Sequence, residues 1–97
     1  MFQEPWSNIL EYPDNVKEAL KIELIKEVGS DKYKNNFSLL AKREDQDEIL
    51  ISSDSLYYII HLTWSGRIEK EPCPRSQIFN SKEELKVQLA EDAKEYL

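Results

Sequence analysis

The residues best suited to chemistry in this chain gather around one histidine. His61 lies in the run SLYYIIHLTWSG, from Ser55 to Gly66, and shares its parity with Tyr57 and Thr63. Glu48 and Asp47, just upstream on a neighbouring predicted strand, supply carboxylates. A general base needs an orienting carboxylate within hydrogen-bond reach. His61 with Glu48, Asp47 or Tyr57 therefore defines one reading, a small enzyme or ligand-binding domain. Against it stand the lack of a glycine-rich nucleophile turn and of a second histidine, so no residue is assigned a catalytic role.

Metal chemistry has a weaker basis. One histidine and one cysteine fall short of the four ligands usual for structural zinc. The segment Asp45-Gln46-Asp47-Glu48 lacks the glycine and the distant final glutamate of a calcium-binding loop. No metal and no cofactor is expected, and charges at a hairpin tip normally guard a sheet edge. Cys73 sits between Pro72 and Pro74 with Lys70 and Arg75 nearby. Cations lower a thiol pKa, but no base is placed beside this one, and its role stays open.

A second reading is a surface for another protein. Tryptophan, tyrosine and arginine are enriched at interface hot spots, and Trp64-Ser65-Gly66-Arg67 joins two of these types at a turn. Alternation assigns Trp64 to the apolar side of its strand, with Leu56, Tyr58, Ile60 and Leu62. The opposite side carries Tyr57, Ile59, His61 and Thr63, and is too apolar to face water unless something covers it. Tyr57, Ile59, His61, Thr63 and Arg67, with Glu48 and Asp47 at the rim, are the candidate binding residues. The candidate covers are a helix of the same chain, a second copy and a different protein, and if a helix covers the face completely the domain has no dedicated site.

These residues need elements to hold them. Period-two alternation of β-branched and aromatic residues over 56–64 predicts a central strand. Before it, Phe37 to Arg43 and Asp47 to Ser52 read as strands joined through Glu44-Asp45-Gln46, with Phe37, Leu39 and Ala41 on one side. A two-residue link at Ser53-Asp54 would set Ile51 opposite Leu56, Ile49 opposite Tyr58, and Glu48 beside Ile59. Gln77-Ile78-Phe79 reads as a short edge strand.

Asn15 with Glu18 fits a capping box for a helix from Val16 to Val28, closed by Gly29. Ser81 with Glu84 fits a second, ahead of a stripe of Leu85, Leu89, Ala93 and Tyr96. The aromatic-rich segment 1–12 is expected to pack down as a lid, with Ser7 available to cap a short turn. The resulting class is α+β, in the order α-β-β-β-(β)-α. It is an antiparallel meander of three or four strands with the N- and C-terminal helices packed on its apolar face.

Composition bounds the partners. The chain has 97 residues, is 40% hydrophobic and 33% charged, and carries a net charge of −6. This suits a single domain spanning 1–97 rather than a disordered chain. Without a basic stripe to neutralise phosphates, nucleic acid and anionic membranes are poor partners, and a basic protein is an easier one. No apolar run approaches the ~20 residues needed to span a bilayer. The lone cysteine and the absence of a basic, apolar leader lead us to expect a cytoplasmic location.

Three stretches together carry a resemblance. Leu40 to Glu48, then His61-Leu62-Thr63-Trp64-Ser65-Gly66, then Phe79-Asn80-Ser81 before an acidic helix, resemble a family of small, mostly bacterial proteins. The resemblance spans Leu40 to Tyr96 and rests chiefly on the His-Leu-Thr-Trp-Ser-Gly segment. It implies a small cytoplasmic domain and transfers no catalytic residue. The expectation from the whole sequence is an acidic protein-binding module, either homodimeric or paired with a basic protein. An immunity- or antitoxin-type inhibitor is its concrete form.

Overall fold

The alternating run does form a strand, but it ends sooner than its hydrophobicity suggests. The structure, a computed structural model, describes residues 3–28, 37–64 and 76–94. Its elements are β1 (Trp6–Asn8), a 3-10 turn (Ile9–Glu11), α1 (Asp14–Val28), β2 (Ser38–Arg43), β3 (Glu48–Ser53), β4 (Leu56–His61), β5 (Ser76–Phe79) and α2 (Lys82–Lys94). The strands form one antiparallel sheet in the order β1-β2-β3-β4-β5. The α+β class and the meander are as expected. The strand count is five because Trp6–Asn8 pairs with β2, where a lid was expected. Short connections favour neighbouring antiparallel strands.

Two turns correct the expected details. Asp54 and Ser55, at φ 51° and 68°, make the two-residue β3–β4 link, one residue later than Ser53-Asp54. Positive φ at both central residues matches the right-handed twist of the strands they join. Register moves by two, so Ile49 faces Ile60, Ile51 faces Tyr58 and Glu48 faces His61 directly. A two-residue shift leaves every side chain on its expected face.

The second correction is a bulge in β2. Leu39 faces Ile51 but Ala41 faces Leu50, so one extra residue on β2 interrupts the ladder. Leu39 packs on one face, while Ala41 packs on the other. The expected common side for Phe37, Leu39 and Ala41 is therefore broken at this point.

The helices lie on opposite faces, not together on one. Leu20 and Leu24 of α1 pack with Ile49, Ile51, Ile60 and Leu62. Leu85 of α2 packs with Trp6, Ala41, Leu50 and Ile59, and half-buried Leu89 joins them. Each buried aliphatic side chain contributes about 1.5–3 kcal/mol of transfer free energy, so a sheet apolar on both faces needs both covers.

Helix starts are specified locally. Ser81 Oγ accepts the Glu84 N–H at 3.2 Å, and Glu84 Oε2 accepts the Asn80 N–H at 2.8 Å, which satisfies amide donors left over at the α2 terminus. α1 instead starts at Asp14, and the Pro13 carbonyl accepts the N–H groups of Val16 and Lys17. Asn15 therefore sits inside the first turn and does not cap it. Asn8, not Ser7, caps the 3-10 turn, accepting the Leu10 N–H at 3.0 Å. Gly29, Cys73 and Tyr96 lie outside the described residues.

Candidate protein-contact site

The first candidate surface was the Tyr57–Ile59–His61–Thr63 side of β4. The structure lays α2 across it. Ile59 is only 3% exposed and Tyr57 is half-buried, both packed in the cluster that includes Leu85. Ile59 is thus a core residue and not a contact residue. Tyr57 also lines a groove of about 450 Å³, shared with Leu10, Leu40 and Leu85. Arg67 lies outside the described residues.

At the far end of the same face the packing turns polar. Arg43 is buried, and three carboxylates converge on it. Its Nε donates to Asp45 Oδ1 at 2.6 Å, and its Nη1 lies 3.2 Å from Asp92 Oδ1 and 3.5 Å from Glu48 Oε1. Asp92 Oδ2 accepts the Trp6 indole N–H at 2.9 Å, and Asp92 Oδ1 accepts from Gln88 Nε2 at 3.0 Å. Burial opposes the guanidinium charge. The Asp45 hydrogen bond and the charges of Asp92, Asp45 and Glu48 outweigh it, raising the Arg43 pKa above its ordinary value.

His61 borders this cluster without joining it closely. Its Nδ1 lies 3.9 Å from Glu48 Oε2 and makes no hydrogen bond. Glu48, half-buried, is engaged by Arg43, so no oriented imidazole–carboxylate pair is assembled. His61 does not line the groove that Tyr57 shares with Leu85. Among the described residues, no group of His, Cys, Asp and Glu is arranged to hold a metal ion.

Thr63 and Trp64 are positioned from the other face. Two glutamates of α1, Glu23 and Glu27, are buried, and Glu27 is fully so. Glu27 Oε1 accepts the Thr63 N–H at 2.8 Å and its hydroxyl at 2.9 Å, while Oε2 accepts the Trp64 N–H at 2.8 Å. Burial, together with a hydrogen bond to the Glu23 side chain, raises the Glu27 pKa, and the donors from Thr63 and Trp64 pull the other way.

Held by those amides, Trp64 adopts φ 60°, a left-handed conformation rare outside glycine. Alternation would have carried its side chain inward behind Leu62. The strand ends at His61 instead, and the indole is 46% exposed. The Leu62 N–H donates to the Asp47 carbonyl at 2.7 Å, tying this segment to the β2–β3 turn. Glu44, Asp45 and Asp47 of that turn are exposed.

One end of the sheet therefore presents an aromatic ring, a threonine, the edge of His61 and an acidic turn. Of the candidate residues, His61, Thr63, Glu48 and Asp47 come together here. Tyr57 and Ile59 do not. Trp64, Arg43, Asp92 and Glu27 were missed. A signal for Glu27 was present, since Glu23 and Glu27 precede Leu24 and Val28 and so lie about 100° from the buried row.

Beyond the geometry, no helix among the described residues is long and apolar enough to cross a membrane. Comparison with protein-family models, with curated proteins and with solved structures finds no match for this chain.

Proposed function

We propose that this chain is an acidic protein-binding module whose contact surface is the sheet end formed by Thr63, Trp64, His61 and the Glu44–Glu48 turn. The observation that carries the reading is Trp64. A large apolar ring stands half out of the surface on a backbone pinned at two amides by a buried carboxylate. A preorganised ring loses little conformational freedom on binding, and tryptophan is a frequent hot-spot residue. Exposed carboxylates at its side favour a basic partner and speed its approach. An inhibitor of the immunity or antitoxin type, acting in the cytoplasm on a basic enzyme, is the concrete form of this reading.

The test compares capture from a lysate of the native cell by the wild-type chain and by Trp64→Ala and Asp47→Lys variants, read by quantitative mass spectrometry. Basic proteins retained by the wild type and lost by both variants, with unchanged circular dichroism, are the expected outcome. Equal retention by all three chains refutes the surface.

A further inference from the structure

The two edge strands of the sheet differ in what they expose. β1 is three residues long and follows Glu4-Pro5, and its Trp6 side chain is turned inward against Asp92. Short length, charge and proline are the usual means of keeping a sheet edge from pairing with other chains. β5 is also short, at four residues, and Pro74-Arg75 precede it in sequence, but its apolar side chains are not all turned inward. Residues 76–81 read Ser-Gln-Ile-Phe-Asn-Ser, six uncharged positions in a chain one-third charged. No described strand lies beyond β5, and Ile78 is 58% exposed.

We infer that the outer edge of β5 pairs with the same edge of a second copy of this chain, extending the sheet across a two-fold axis. Residues directly opposite in an antiparallel pair share a face. Self-pairing is therefore restricted to registers in which opposed numbers sum to an even value. Centring the axis on Ile78 sets Ile78 against its twin, Gln77 against Phe79 and Ser76 against Asn80. That register buries the exposed isoleucine and sets no charge against a like charge.

Charge selects the occupant. Two chains of −6 repel each other, so copies can approach closely only along a neutral strip, and 76–81 is such a strip. A basic partner gains nothing there and is drawn to the acidic end. The two associations consequently answer to salt in opposite directions. Screening strengthens the contact between two acidic copies and weakens an acidic–basic one. A four-residue edge contact is small, so the dimer is weak and concentration-dependent.

Sedimentation velocity on the full chain, from about 10 µM to about 1 mM, tests this. The expected result is a mass rising with concentration from 11.5 kDa toward twice that value, more readily at high salt. Ile78→Lys, at an exposed side chain, should remain monomeric with an unchanged thermal transition. In the wild type, amide hydrogen exchange at residues 76–79 should slow as concentration rises. A wild-type chain monomeric at the highest concentration overturns the inference. So does self-association that leaves those amides unprotected, or that the lysine variant retains.

Discussion

The two faces of the sheet bury acids by different means. On the α2 face, one guanidinium answers three carboxylates, with the Trp6 indole and Gln88 filling remaining acceptor positions on Asp92. On the α1 face, Glu27 is met by backbone amides, a hydroxyl and a second carboxyl. The first solution depends on a guanidinium, a cation that stays protonated throughout the ordinary pH range. The second depends on donors from one short stretch of chain and on a proton, so it couples folding to pH. The pH-dependent arrangement is also the one that sets the Trp64 backbone. The Trp64 turn is thus anchored by the less charge-balanced face.

The largest expected effect asks whether the α1 face accepts acids in general. Ile60 is fully buried there, three residues before the Thr63 N–H that Glu27 accepts. Ile60→Asp places a carboxylate without those donors, and an unpaired buried charge costs more than a domain of this size has to spare. We expect no cooperative unfolding transition in urea. A folded variant would show that the face is more permissive than Glu27 suggests.

Arg43→Ala is next. It leaves Asp45, Glu48 and Asp92 without their shared cation, and breaking a buried ion pair costs about 3–5 kcal/mol. Partial exposure of Asp45 and Glu48 places the expectation at the lower end. Equilibrium urea unfolding measures it, and a loss below about 1 kcal/mol would reduce the network to surface strength.

The smallest effect concerns pH. A carboxyl whose folded pKa is raised binds its proton more tightly in the native state. Its contribution is fully present below the unfolded value of 4.5 and is lost as pH rises through the elevated folded value. Urea midpoints taken upward from about pH 4.5 should therefore carry a declining component from Glu27. Glu23→Gln removes one of the two causes of the elevation and leaves burial, so its decline should be shallower but not absent. An unchanged profile would mean that the two side chains do not share a proton.

Much of the fold was legible because local patterns and global packing agree. Alternation at 56–61 fixed β4 and its faces, and Ser81 with Glu84 fixed the start of α2. The two-residue error in the β3–β4 register left the faces intact, because strand side chains repeat every second residue. The candidate site was legible only in part. Glu48, His61, Thr63 and Asp47 do share one end of the sheet, but Ile59 lies under α2, and Trp64 emerges where alternation sends it inward.

Residue pattern by itself determined both helices and four of the five strands, their antiparallel meander, and the acidic net charge. Tertiary structure alone decided where the charges go. The extra residue in β2 turns Ala41 and Arg43 toward α2, within reach of Asp92 some fifty positions later in the chain. Glu27 likewise finds the amides of Thr63 and Trp64 across a long separation, and they hold the indole outward. Periodicity reports which side of an element is apolar. It carries no information on which distant donor will meet a buried carboxylate, because that depends on bulges and helix placement fixed only when all the layers pack together.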